Sequence, residues 1–156
     1  MSVEPKAIQY LHLPPGSPPP VLSGAPFKAV MILDADHTAE WRHEISDWLV
    51  ASGCRYMMAW GQDCSLWDDS VDWSKLAAYG WDVDIGLDDE RFVVTTWHTG
   101  EPLSEVFWFA GDCAEHPVAE LERVLGVMLI DVNPEPREAA ILAAYDAAQE
   151  DEPEDS

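Results

Sequence analysis

Basic residues are scarce in this chain: eight Lys and Arg stand against thirty Asp and Glu, for a net charge of −22. Such a surface repels nucleic acid phosphates and anionic lipid headgroups, so neither is expected as a partner. No apolar run approaches the roughly 20 residues that span a bilayer. Met1 to Val3 are not followed by a basic segment and an apolar stretch, so neither export nor membrane insertion is expected. Cysteine is limited to Cys54, Cys64 and Cys113, an odd number without a close-set pair, which makes a poor disulfide framework and fits reduced thiols in a cytosol. Lysine is missing altogether after Lys75.

Apolar residues, by contrast, make up 47% of the chain and include eight Trp, ample for a packed core and incompatible with a wholly disordered acidic polymer. At 156 residues one domain is the simplest organisation. Residues 1–26 hold six prolines from Pro14 to Pro26 and read as an extended arm, within which Ala7 to Leu13 could add an edge strand or lie across the domain. An α/β domain is expected over 27–133, a C-terminal helix over 134–149 and a disordered acidic tail over 150–156. On this reading the arm and the tail contribute little to stability.

Four β-rich apolar runs define the expected strands, at Lys28–Asp34, Arg55–Trp60, Phe92–Trp97 and Val127–Val132. Between the first two, Trp41, Ile45, Trp48 and Leu49 recur at helical spacing and Gly53 closes the helix. Leu66, Trp67, Val71, Leu76 and Ala77 give a second helical period ending at Gly80, after which an acidic connection runs from Trp81 to Glu90. Pro102 opens a third helix with Leu103, Val106, Phe107 and Ala110 on one face, and Ile141, Leu142 and Tyr145 mark the last. Alternating strands and helices predict an α/β fold: a small, mainly parallel four-stranded sheet, with a possible extra edge strand, flanked by helices.

Sites in such sheets gather at the carboxyl ends of strands. The clusters there are Asp34, Asp36 and His37; Trp60, Gly61, Asp63 and Cys64; Trp97, His98 and Glu101; and Asp131 with Asn133. MILDADHT resembles the opening motif of haloacid-dehalogenase-like phosphatases. That resemblance implies Asp34 as nucleophile and Asp36 as acid/base, with Thr95 or Thr96 on phosphate. The missing downstream Lys departs from the pattern, and Asp36 or Thr38 would serve equally well as a helix cap. Cys64 near a helix N-terminus, with His98 from a neighbouring strand end, would suit nucleophilic catalysis. Asp63, Asp68 and Asp69 oppose it by raising the thiol pKa. Cys113 and His116 form one Cys-x-x-His pair that Cys64 and His98 could complete, but structural zinc sites show two close pairs, so no metal is expected and no cofactor is implied.

The segments GCRYMMAWGQDCSLWDDSVDW and TTWHTGEPLSEVFWFA are long and unusual. They resemble a family of uncharacterised bacterial proteins, a domain of unknown function, over about Lys28 to Val132. The resemblance implies a bacterial cytosolic setting and draws attention to Trp60, Asp63, Cys64, Trp67, Asp68, Asp69, Asp72, Thr96, Trp97 and His98, but carries no activity. Trp67 and Trp73 lie in an Asp-rich helix, and an exposed Trp rimmed by carboxylates has the anatomy of a binding hot spot. The expected function is therefore a non-enzymatic acidic binding protein, inhibitor or immunity-like, for a basic protein partner, through Trp60, Asp63, Trp67, Asp68, Asp69, Asp72 and Trp97. The alternative is a small hydrolase or transferase using Cys64 with His98 or Asp34 with Asp36. Acidity that serves only solubility is the plain explanation that either must beat.

Overall fold

The computed structural model describes residues 8–22, 24–81, 89, 91–118 and 125–150. Of the acidic connection read from Trp81 to Glu90, residues 82–88 and 90 lie outside the described residues, as does the tail beyond Glu150.

Strands β1 (Ile8–His12), β2 (Phe27–Leu33), β3 (Cys54–Gly61), β4 (Val94–His98) and β5 (Gly126–Val132) form one sheet in the order β1-β5-β2-β3-β4. Every pairing is parallel. Helices α1 (Ala39–Ser52) and α2 (Cys64–Ala78) cover one face, where Ile45, Leu49, Trp67 and Val71 pack on Ala29, Met31, Met57 and Ile130. Helices α3 (Leu103–Asp112) and α4 (Glu138–Glu150) cover the other, with Val106, Phe107, Ile141 and Tyr145 against Val30, Ile32, Met58 and Leu129. Burial on both faces is why β2 is buried at all seven positions and reads as a continuous apolar run. Its one charged residue, Lys28, is buried and donates its ammonium to the carbonyl of Ala114.

The four strands expected from the sequence are all present, and the proline-rich segment supplies a fifth. Ile8–His12 pairs in parallel register with Val127–Asp131, and Leu13 is buried in the core. The rest of that segment crosses the α1 face, where the indole N–H groups of Trp41 and Trp48 donate to the carbonyls of Ser17 (2.8 Å) and Pro20 (2.7 Å). The edge strand allowed for between Ala7 and Leu13 is thus present as Ile8–His12, and the expectation that the extended arm over 1–26 adds little to the domain is corrected where Leu13 enters the core and Ser17 and Pro20 accept from α1. Thr38 rather than Asp36 caps α1, accepting from the Trp41 N–H at 3.1 Å, and left-handed Gly53 closes it.

The order in which strands are added to the sheet changes direction between β2 and β5. The connection after β2 leads to α1 on one face, and the connection after β5 leads to α4 on the other. That switch point opens at the carboxyl ends of β2 and β5, where Asp34 and Asp131 sit.

Candidate functional site

The switch point is filled by the protein itself. Asp131, wholly buried, accepts from the guanidinium of Arg137, which also donates to Asp34 Oδ2 at 2.8 Å. The Tyr10 hydroxyl donates to Asp131 Oδ2 (2.7 Å) and accepts from the Arg137 backbone N–H (2.9 Å). Burial pushes the Tyr10 hydroxyl above its ordinary pKa, against the Arg137 N–H bond that lowers it, and the bonds to Asp131 hold the Arg137 guanidinium more firmly protonated. Asp34 therefore faces a fixed cation that draws on the lone pairs a nucleophile would use, while Asp36 is exposed in the following loop. Arg137 and Tyr10 escaped the sequence reading because their partners lie 103 and 121 residues away.

His37, the third member of that cluster, turns to the core. Its Nε2 accepts from the Trp67 indole N–H at 3.0 Å, and its ring packs against Trp41 and Trp67 at centroid distances of 5.9 and 5.4 Å. Trp67 is 0% exposed, which corrects its reading as a surface anchor: it lies on the α2 side that faces α1.

Cys64 and His98 do not meet. On β4, alternate side chains point to opposite faces. Thr95, Trp97 and Thr99 lie toward α2, where Cys64 Sγ is 3.3 Å from Thr99 Oγ1 and Thr95 Oγ1 donates to Asp72 Oδ1 at 2.9 Å. Thr96 and His98 lie toward α3: Thr96 Oγ1 is 2.9 Å from His98 Nε2, Glu101 is 3.3 Å from His98 Nδ1, and the Phe109 ring is 5.2 Å away. The strand itself separates the thiol from the imidazole. Half-buried Trp60 belongs to the α3 side and donates its indole N–H to the Glu101 carbonyl at 2.7 Å. Cys54 is buried with its thiol pushed up to about 12, Cys113 is exposed, and all three cysteines are free. His116 is buried and bonded to the Phe92 carbonyl at 2.7 Å. Among the described residues no three His, Cys, Asp or Glu side chains gather as a metal site.

The remaining sequence candidates lie on or beside α2. Asp63 is exposed in left-handed backbone (φ 59°) ahead of the helix. Exposed Leu66, Asp69 and Trp73 form a stripe along the outer side, since residues three, four and seven apart share a helix face. Trp73, 61% exposed, packs edge-on against Trp81, 52% exposed, at 5.0 Å between ring centroids. Trp81 follows the end of α2, so the helical period that places Trp73 seven residues after Leu66 says nothing of its exposure. Asp72 is half-buried, and its Oδ1 lies 3.1 Å from Lys75 Nζ. Asp68 is buried, and its Oδ1 has no hydrogen-bond partner. Burial pushes the Asp68 carboxyl up; Thr95 opposes the shift, and the charges of Asp72 and Asp69 add to it. Trp97, 52% exposed, stands on β4 at the edge of the sheet.

These features define a doubly wound, three-layer α/β protein whose switch point is closed by an internal ion pair and whose exposed tryptophans flank one acidic helix. The chain belongs to the family described as Domain of unknown function (DUF7684), which it matches over residues 8–148. The match is longer than the span from Lys28 to Val132 read in the sequence and takes in β1 and most of α4. No curated protein and no solved structure matches the chain. No helix among the described residues is long and apolar enough to cross a membrane.

Proposed function

We propose that this protein is a non-enzymatic binding module, inhibitor or immunity-like in kind, which holds a basic protein partner against α2 and β4 in a bacterial cytosol. The observation that carries this reading is the exposed Trp73–Trp81 pair on a helix face shared with Leu66 and Asp69 and bordered by Asp72. Two packed indoles left in water are an unfavourable use of apolar area in a monomer, and Trp is among the residues that most often anchor interfaces. The carboxylates around them, in a chain of net charge −22, favour a partner of opposite sign and steer its approach.

The test begins with affinity capture on the full chain and turns on kinetics with the recovered partner. Raising salt from about 0.05 to 0.5 M shortens the Debye length from roughly 14 to 4 Å. The association rate then falls about tenfold or more while dissociation changes far less. Trp73→Ala acts mainly on dissociation, speeding it about tenfold or more. An acidic partner, or an association rate indifferent to salt, refutes the proposal.

A further inference from the structure

Helix α2 ends in a turn that brings a second indole back to it. The Trp81 backbone N–H donates to the Leu76 carbonyl at 2.9 Å and the Gly80 N–H to the Ala77 carbonyl at 3.0 Å, with Gly80 left-handed at φ +65°. This closure sets Trp81 against Trp73, with ring centroids 5.0 Å apart and ring planes at 69°. Trp81 itself holds φ +64°, a conformation that bulky side chains rarely adopt. The other close tryptophan pair, Trp41 with Trp67, is buried, whereas both rings of this one stand in water. An indole face carries the negative part of the ring's quadrupole, so two exposed faces inclined at 69° make adjoining walls that attract a cation.

The chain's own charges leave those walls to a cation from outside. Lys75, the one basic residue of α2, is turned away: its Nζ donates to the Val93 carbonyl at 2.7 Å, lies 3.1 Å from Asp72 Oδ1 and sits 4.5 Å from the centroid of the Phe92 ring. Asp69, one turn before Trp73 on the same side of the helix, is exposed and forms no ion pair among the described residues.

We infer that Trp73 and Trp81 form an open corner for the ammonium head of one lysine side chain of the basic partner, with Asp69 as counter-charge, and that the corner holds this head more tightly when it is N-methylated. The inference rests on the proposed function and names the group recognised. A corner of two ring faces suits a compact, near-spherical cation, which touches both walls at once, whereas planar guanidinium stacks on only one. Methylation keeps the charge and weakens hydration, so the head gives up less water on meeting the indoles.

The test is an NMR titration of the isotopically labelled full chain with acetyl-Gly-Lys-Gly-amide, its trimethyllysine form, the uncharged tert-butyl isostere of that form and the arginine counterpart. The trimethyllysine peptide shifts the Trp73 and Trp81 indole N–H signals together and saturably, and it binds about threefold or more tighter than each of the other three. Trp73→Ala and Trp81→Ala, both at exposed positions, each lower that affinity about threefold or more without disturbing the core. Asp69→Asn lowers it about twofold. A trimethyllysine peptide no tighter than the lysine peptide or the uncharged isostere, an arginine peptide that binds more tightly, or indole signals that stay in place overturn the inference. Unchanged affinity in Trp81→Ala does the same. If the captured partner meanwhile retains salt-dependent association and its sensitivity to Trp73→Ala, the corner is not a lysine receptor and the proposed function stands. If those are lost as well, both fall.

Discussion

Deleting the proline-rich segment should unfold the protein. A chain beginning at Pro26 loses β1, exposing the edge of β5, and it loses Leu13, whose burial contributes about 2 kcal/mol. The Trp41 indole N–H loses its carbonyl partner, at about 1 kcal/mol. Buried Asp131 loses the Tyr10 hydroxyl, at about 2 kcal/mol for a bond to a charged group. With the strand's own pairing the loss reaches roughly 5 kcal/mol or more, comparable to the whole stability of about 5–15 kcal/mol of a typical domain. Tyr10→Phe isolates one part: the phenol joins Asp131 to the backbone of Arg137, and its removal should cost about 2 kcal/mol and lower Tm by about 4–8 °C. Thermal melting followed by circular dichroism reads both. A chain beginning at Pro26 that melts cooperatively within about 8 °C of the full chain would refute the reasoning, because it would mean that β1 adds little to the sheet.

Asp68→Asn should stabilise the protein at neutral pH by about 1–2 kcal/mol, since it replaces a buried carboxylate, one of whose oxygens has no hydrogen-bond partner, with a neutral group. The folded state raises the pKa of Asp68, so the native fold favours its protonated form. The contribution of Asp68 to stability is thus fully present below the ordinary carboxylate pKa of about 4 and is lost as pH rises through the raised value. The advantage of Asn should shrink on acidification, and melting curves at pH 7 and at about pH 4 that show a constant difference would contradict the assignment. Gly61→Ala should cost roughly 3 kcal/mol or more by urea unfolding, because Gly61 has φ +104° and a Cβ there would lie 2.3 Å from the Leu33 carbonyl oxygen. Gly100→Ala has the same kind of backbone strain (φ +77°) with open space around it, and should cost only about 1–2 kcal/mol.

What could be read in the sequence was what a single segment encodes. FKAVMIL and GVMLIDV announce doubly buried strands because both faces of each are covered, and the periods of α1 and α4 and the closing Gly53 are equally local. Relations across the fold were not legible. An edge strand before Leu13 could be named as a possibility, but not its place beside β5, because IQYLH is half polar and its pairing depends on the register β5 offers. Asp34 looked like a free carboxylate until Arg137 arrived from the distant connection just ahead of α4. At the site, an acidic α2 bearing tryptophans was visible, but which indole faces water depends on where α1 packs: Trp67 turns to His37 and Trp41, while Trp73, six residues on, turns outward. Likewise Cys64 and His98 lie close along the carboxyl edge of the sheet in any linear reading, and only the alternation of β4 parts them.

The central claim is that the exposed tryptophans beside α2 are where a basic partner lands. Replacing the eight Trp with 5-fluorotryptophan gives each its own fluorine signal, assigned by single Trp→Phe variants. On addition of the captured partner, the signals of Trp73, Trp81 and Trp97 should shift together and saturate at a common affinity, while those of Trp41 and Trp67, enclosed with His37, stay in place. If the partner binds while Trp73, Trp81 and Trp97 keep their free positions, the contact lies elsewhere on the molecule and the claim is contradicted.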